Sequence, residues 1–509
     1  VADVVFELNG HEVAVPDGTT LLVALRESCG IRSAKDGCAP QGQCGCCTVW
    51  VDGEARVACV TPVSRVRGRS VTTLEGAGTA VADDWSERLC ATGGSQCGFC
   101  TPGIIMRLAA PRRQGLLTKE SVEQALLAHL CRCTGWQTIV EAALDPVDVS
   151  VNRDHAAERA AIEGRTAQSV APAVAAGNGG FAGDSFPNDA LIAVRSAAGT
   201  WHVSESLTEA RAAAGIVQGR RSTLGLNWPI EIDDESEFVR TLRTTWVEPA
   251  YLEPDAVWCE PGGRAVGPLV NGGAFGGKRT AWLADEARRL ADEHARPIRI
   301  ALTREDVVRL GPKRPPLAAG VRADGSGVVW LRRTDGAARF IAEHFPKWTL
   351  HEVDVAGPPT SLDIRGAVWA ELSALVASVS PLDERGDPVR SLEGAEAWAR
   401  IDDEGVKITV RCGEVLDHTV LRSYCIGAAH MALGWVRTEG IAVDESGEIH
   451  DLTIRSFGVL RAADMPPVVV HIEDDDRPPV NGSDAVFAAV AAAAWRRDGY
   501  PRRWPGCRE

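Results

Sequence analysis

The sequence predicts an α+β chain of several domains: a small mixed sheet crossed by a helix, a helical unit, then a longer mixture of strands and helices. Three observations support this. At 509 residues the chain is too long for one hydrophobic core and suggests three or four domains. Asn9-Gly10 and Asp52-Gly53 each join short apolar runs near the N-terminus and read as hairpin turns. Within the stretch Cys38–Cys133, eight of the chain's 15 cysteines form two groups of four, a density that ordinary core packing does not require.

Bulk composition excludes several classes. With 45% hydrophobic and 24% charged residues and no low-complexity tract, the chain reads as a soluble globular protein. A net charge of −15 argues against nucleic acid, which needs a concentrated positive field. The acidic run Glu473–Asp476 reads as a solvated loop. The longest apolar run, Ala485–Trp495, has 11 residues, short of the roughly 18 that suggest a membrane span, and reads as an Ala-rich buried helix. Val1-Ala2-Asp3-Val4 lacks the basic and apolar regions of a secretory signal. Cysteines at metal spacings without such a signal lead us to expect a reducing cytoplasm.

In the first unit, residues 1–75, Val4–Leu8 and His11–Val15 form a hairpin around Asn9-Gly10. Thr19-Thr20 cap a short helix over Leu21–Glu27. Thr48–Val51 and Arg56–Val60 form a second hairpin around Asp52-Gly53. The loop Gly37–Thr48 carries Cys38, Cys44 and Cys47, and Cys59 is expected on the returning strand. Four thiols suffice to wrap an iron–sulfur rhomb, and glycines let nearby amide N–H groups turn toward its sulfurs. Five residues separate Cys38 from Cys44, one more than the plant-type ferredoxin spacing. Cys46 is surplus and reads as a bystander. Zinc or plain buried thiols are the alternatives, although zinc knuckles favour two separated Cys-x₂-Cys pairs.

In the second unit, residues 76–146, Cys97-Gly98-Phe99-Cys100 precedes a helical stretch. Thr118 caps a predicted helix over Lys119–Leu130, with Val122, Ala125, Leu126 and Leu130 at helical spacing. Cys131-Arg132-Cys133 then opens another short helix. Cys97, Cys100, Cys131 and Cys133 can therefore converge on a second cluster. A Cys-x-Cys half-site is unusual for zinc.

Both motifs, in this order, resemble the iron–sulfur portion of the xanthine dehydrogenase and aldehyde oxidoreductase family of molybdenum hydroxylases. The resemblance implies a β-grasp, ferredoxin-like [2Fe-2S] domain followed by a four-helix [2Fe-2S] domain. It also implies a direction: electrons leave molybdenum through the helical cluster, pass to the ferredoxin-like cluster and then reach a flavin. The family's helical domain touches the pterin of the molybdenum cofactor, which implies Gln96 and Cys133 as contacts.

Residues 147–190, with Ala171-Pro172-Ala173 and Gly177-Asn178-Gly179-Gly180, read as a linker. From 191 the chain is mixed α/β, with strands at Leu191–Val194 and Thr200–Val203 and a helix over Leu207–Val217. The run Asn271-Gly272-Gly273-Ala274-Phe275-Gly276-Gly277-Lys278 fails as a Walker A loop, because Arg279 stands where Ser or Thr is required. A glycine-rich turn packed on a sheet is one reading. The run also resembles a segment of the family's molybdopterin-binding subunits, implying Gly273, Phe275 and Gly276 as cofactor contacts. Glu248–Pro254, Thr303–Asp306, Arg365–Ala367 and Ala463–Pro466 resemble further segments of that subunit in the same order.

Residues 191–509 therefore read as a shortened molybdopterin-binding-subunit-like region. The resemblance leads us to expect a Gly-x-Gly-Glu type motif whose glutamate accepts a proton. The corresponding stretch is Val480-Asn481-Gly482-Ser483-Asp484. A serine without a partner base lacks the pKa and lone-pair basicity for that role, and Asp484 is displaced by one residue. No catalytic residue is expected.

The leading expectation is an iron–sulfur electron-transfer subunit with two [2Fe-2S] clusters, partnered by a molybdopterin-binding catalytic subunit and an FAD-binding subunit. Molybdopterin would then be held by the partner. A compact self-contained hydroxylase acting on an aldehyde or N-heterocycle is one alternative, and a non-enzymatic assembly or redox-sensing protein is another. Cys259, Cys412, Cys425 and Cys507 read as ordinary thiols, and Trp246 and Trp258 as core or interface residues.

Overall fold

A computed structural model describes residues 3–113, 115, 117–144, 146–215, 224–268, 272–278, 281–380, 385 and 387–506. Asn271, Arg279, Cys507 and the end of the predicted helix at 216–217 lie outside the described residues.

The N-terminal sheet has five strands in the order His11–Pro16, Asp3–Leu8, Ser70–Thr72, Thr48–Val51, Glu54–Val57. Alternation drives it: Val4, Phe6 and Leu8 point inward while Asp3, Val5 and Glu7 point out. Asn9 and Gly10 adopt φ 52° and 84°, and Asp52 and Gly53 adopt 50° and 82°, the left-handed pairs that two-residue hairpin turns require. The Thr20 hydroxyl caps the Leu21–Val23 helix through Val23 N at 3.3 Å, and the helix continues as a wider π turn over Ala24–Ser28.

One expectation needs correction here. The second hairpin's returning strand stops at Val57, and Cys59 sits on a 3₁₀ turn over Ala58–Val60. Ala58 N donates to Cys47 O at 3.2 Å, which curls the chain over the cysteine loop instead of extending the ladder.

Helices Thr79–Thr92, Thr101–Arg113, Lys119–Ala125 and Gln137–Leu144 form the second unit. Thr118 and Ser121 form a capping box as the sequence suggests. The helix predicted to reach Leu130 ends earlier, in a 3₁₀ turn over Leu126–Ala128. His129 is extended, and Leu130 N donates to Cys44 O at 3.0 Å, drawing the chain toward the first unit.

The stretch 147–190 is more than a connector. It contains the helix Ala156–Gly164, and Ala156 and Ala160 pack on Val420 and Tyr424. Arg159 and Glu163, one turn apart on that helix, form a buried ion pair.

Beyond it lie three sheets. The first runs Trp201–Ser204, Leu191–Arg195, Ile298–Ala301, Ala256–Cys259. The second runs Trp348–Val353, Gly327–Arg332, Leu317–Val321, Arg240–Thr244, Arg503–Trp504, and the third Asp387–Arg390, Glu396–Asp402, Gly405–Arg411, Val468–Ile472. The helix His418–Arg437 packs against Ser483–Arg497 at the centre of the core. Every residue from Ala485 to Trp495 is buried, because the alanines let neighbouring elements approach closely. Among the described residues, no helix is long and apolar enough to cross a membrane.

Candidate metal centres

The first group comprises Cys38, Cys44, Cys47 and Cys59, all at most 3% exposed. The Cys38 thiol meets those of Cys44 and Cys59, and Cys59 also meets Cys47. Gln41 N and Gln43 N donate to Cys38 Sγ at 3.2 and 3.5 Å, and Cys59 N donates to Cys47 Sγ at 3.4 Å. The thiols of Cys44 and Cys59, then burial opposing them, then these amides leave the Cys38 pKa well below its ordinary value. Cys44 and Cys59, as the donating partners, are pushed up. Gly37 is needed for the fit: a Cβ there would stand 3.1 Å from Cys44 Sγ and 3.2 Å from Cys46 Sγ.

The second group is arranged as two thiol pairs. Cys97 and Cys133 are 3.5 Å apart, and Cys100 contacts Cys131. Cys131 falls to about 6, held down first by the Cys100 thiol, against burial, and then by Thr134, whose Oγ1 lies 3.2 Å from the sulfur. Among the described residues, no three His, Cys, Asp or Glu side chains converge as a ready site for a single metal ion. Buried thiols gathered in pairs instead suit the larger body of an iron–sulfur rhomb in Cys₄ ligation. The donor sets therefore fit two [2Fe-2S] clusters.

The two groups share a wall. Cys46, read from sequence as surplus, is fully buried and lies within electrostatic reach of Cys38, Cys47 and Cys131. His129 packs on Gly45, and its Nε2 lies 3.3 Å from Thr48 Oγ1. Burial first, then the Arg107 charge, push the imidazole down to about 3, so it is neutral at pH 7.

The residues implied as pterin contacts divide into two places. Gln96 Nε2 donates to Cys133 O at 3.1 Å and to Ser423 Oγ at 3.0 Å. Gly273 packs directly on the second thiol group: a Cβ there would lie 2.9 Å from Cys97 Cβ and 3.1 Å from both Cys97 Sγ and Cys133 Sγ. Phe275 and Gly276 instead line a cavity of about 480 Å³, together with Arg365, Tyr424 and Asp484. Lys278, closing the glycine run, is buried in ion pairs with Glu253 at 2.7 Å and Asp255 at 3.6 Å.

Asp484 faces this cavity, although its one-residue displacement suggested otherwise. It is the second residue of the helix Ser483–Arg497, and its carboxylate accepts from Arg365 Nε at 2.8 Å and Arg165 Nη2 at 2.6 Å. Burial alone would raise its pKa, but the two guanidinium groups overcome that and hold it below the usual carboxylate range. A carboxylate held ionised this firmly is a poor proton acceptor. Ser483 Oγ lies 3.4 Å from Asn481 Oδ1 and also contacts Arg365, and neither an amide oxygen nor a guanidinium can take its proton. Cys259, Cys412 and Cys425 are buried and free. Trp246 is buried and Trp258 partly so.

Sequence reasoning missed Arg132, Tyr424 and the segment Leu452–Arg455. Only Arg132 carried a local signal, standing between two cysteines.

Residues 2–76 match the family described as "2Fe-2S iron-sulfur cluster binding domain", and residues 73–144 match "[2Fe-2S] binding domain". The xanthine dehydrogenase iron-sulfur-binding subunit of Escherichia coli O157:H7 is 44% identical over 137 residues, covering 26% of this chain and 84% of that protein. Xanthine dehydrogenase/oxidase of Mus musculus is 39% identical over 156 residues, 28% of this chain, and the match spans only 12% of the mouse protein. In fold, the chain is similar to aldehyde oxidoreductase from Desulfovibrio desulfuricans, with a TM-score of 0.68 at 13% identity over 97% of each chain. That likeness concerns architecture, whereas the paired cysteines and the 44% identity concern descent. On these grounds the chain belongs to the xanthine dehydrogenase/aldehyde oxidoreductase family, within which its N-terminal part forms the two-[2Fe-2S] region.

Proposed function

We propose that this chain is the iron–sulfur electron-transfer component of a molybdenum hydroxylase assembly. Electrons from a molybdenum site enter through Cys97, Cys100, Cys131 and Cys133 and leave through Cys38, Cys44, Cys47 and Cys59 toward a flavin or another acceptor. A molybdopterin-binding catalytic subunit and an FAD-binding subunit are the partners this role requires. Residues 191–509 act as a scaffold and docking region and are not catalytic. We also propose a cytoplasmic location, because cysteines at cluster-binding spacings suit a reducing compartment.

The observation that carries the reading is the shared wall at Cys46 and His129, which places one four-thiol group against the other inside a single core. Two redox centres that share Cys46 as a common neighbour form a conduit. The Arg365–Asp484–Arg165 arrangement supports the non-catalytic part of the proposal, because Asp484, the cavity-lining carboxylate beside Ser483, is neutralised by two arginines. Iron and molybdenum per chain, measured on the polypeptide purified without partners, test the reading. Two clusters require about four irons, and molybdenum should be absent.

A second reading, a compact self-contained hydroxylase, draws on the cavity itself. Among the described residues, Tyr424 Oη lies buried there without a hydrogen-bond partner, and so, outside the cavity beside Cys133, does Gln96 Oε1. The Tyr424 hydroxyl is one that a polar heterocycle such as a pterin in the cavity could satisfy. One molybdenum per chain in the same measurement would favour this reading.

A further inference from the structure

The loop Cys38–Cys44 is one residue longer than the ferredoxin spacing, and the structure shows where the longer loop docks. Gln41 and Gln43 are the two residues whose backbone N–H groups donate to Cys38 Sγ. The side chains of the same two residues are anchored to a segment of the C-terminal region more than 400 positions away. Gln41 Nε2 donates to Leu452 O at 3.0 Å, and Ile454 N donates to Gln41 Oε1 at 3.3 Å. Arg455 N donates to Gln43 Oε1 at 3.3 Å, and Arg455 Nε donates to Gln43 O at 2.9 Å. Arg455 Nη2 also donates to Leu127 O at 2.7 Å, so one guanidinium ties the first cysteine loop to the helical unit. That guanidinium is close enough to Cys38 and Cys44 to feel their charge.

We propose that Arg455 is a positioning residue through which the C-terminal region sets the reduction potential of the ferredoxin-like centre. Reduction adds one negative charge to a buried thiolate-ligated cluster. A nearby cation stabilises that charge, as do N–H groups aimed at the sulfur, and both raise the potential. Arg455 supplies the cation and fixes the carbonyl and side chain of Gln43, whose amide faces Cys38. Among the described residues, the Arg455 guanidinium feels the charge of Cys38 and Cys44 and of no cysteine of the helical group, so the effect acts on one centre only. The inference rests on the proposed cluster assignment.

The test is an EPR-monitored redox titration of the reconstituted full-length chain, with each signal assigned by Cys47→Ala and Cys131→Ala. Two assigned signals in the unmodified chain establish the clusters themselves, so a later null result bears on Arg455 alone. Arg455→Gln is expected to lower the midpoint of the ferredoxin-like centre. The expected drop is about tenfold in the reduction equilibrium, ~59 mV for a one-electron couple. It should shrink as salt is raised, because the side chain is solvent-exposed. Arg455→Lys should restore most of it, and the helical midpoint should stay fixed. If Arg455→Gln does not retain iron, Gln43→Glu carries the test: its carboxylate would neutralise the bonded guanidinium and should give the same downward shift. An unchanged midpoint in either variant, an equal shift of both centres, or Arg455→Lys as low as Arg455→Gln would overturn the proposal.

Discussion

Arg132 and Glu439 form a two-pronged ion pair, Nη1 to Oε1 at 2.6 Å and Nη2 to Oε2 at 2.7 Å, with both side chains 1% exposed. Arg132 stands between two cysteines of the second group. Glu439 lies just past the helix His418–Arg437 at the heart of the C-terminal region. Arg132 Nε also donates to Pro249 O at 3.1 Å, so the Cys131–Cys133 turn is held from two directions by residues far away in sequence. The geometry of the helical centre is therefore a property of the whole chain.

Replacing Arg132 with Met should be strongly destabilising, because buried Glu439 would lose its two-pronged ion pair and keep only the Trp435 side chain and the Arg314 charge. Loss of one member of such a pair costs about 3–5 kcal/mol. Urea unfolding should show that loss, and the EPR signal of the helical centre should disappear before that of the ferredoxin-like one. The double variant Arg132→Met/Glu439→Leu should recover much of the stability, since it removes both charges. A double variant no better than the single one would mean that the pair matters through Pro249 rather than through charge.

What the sequence revealed and what it hid follow one physical division. Asn9-Gly10, Asp52-Gly53 and Thr118 act over a few residues, so their turns and cap were legible. Cysteine spacing was legible for the same reason, because chelation is local at each end. Cys59 was misplaced onto a strand because the Ala58 N to Cys47 O bond that curls the chain is a tertiary choice. Likewise, nothing near Leu130 announces that its N–H is taken by Cys44 O. The contacts Arg132–Glu439, Gln43–Arg455 and Lys278–Glu253 join positions that only the finished fold brings together. Lys278 shows the hazard: beside a glycine run it suggests an anion ligand, yet it is spent on buried carboxylates.

His430 should impose a measurable pH dependence. Burial first, then the Arg132 charge, push this imidazole down to about 4, while its Nε2–H donates to Leu460 O at 3.0 Å. The unfolded chain takes up a proton near pH 6.5, but the folded chain resists until about pH 4. Stability contributed by the neutral ring is thus complete above about pH 6.5 and falls as pH drops through that window, by about 3 kcal/mol. Urea midpoints from pH 7 to 4 should decline more steeply for the native chain than for His430→Gln. Parallel slopes would show that the ring titrates normally in the fold.

Cys46 and Cys100 should behave oppositely although both are buried thiols. Cys46→Ala removes a sulfur outside either group of four, so iron per chain and both EPR signals should be retained. Cys100→Ala removes one member of the Cys100–Cys131 pair, so iron should fall by about half, from four to two for a pair of [2Fe-2S] centres. Elemental analysis decides this directly. Loss of iron in Cys46→Ala would promote that residue from the wall between the centres to a ligand of one of them.

Gly273 offers a test of how closely the glycine run covers the helical centre. The Cβ of any other residue would meet Cys97 Cβ at 2.9 Å and the Cys97 and Cys133 sulfurs at 3.1 Å. Contacts that short force either the loop or the thiols to move, and overpacking of a buried site costs about 1–3 kcal/mol. Gly273→Ala should therefore broaden or shift the EPR signal of the helical centre, and Gly273→Val should abolish it, while the ferredoxin-like signal persists. Gly277→Ala is the informative control. Its Cβ would press on the Tyr251 ring at 2.7 Å and on Pro249, straining the same segment without touching a cysteine. If both variants disturb the helical signal equally, the run matters only for packing. If Gly273→Ala alone disturbs it, the backbone of the glycine run is part of the wall that shapes the Cys97–Cys133 end of the centre.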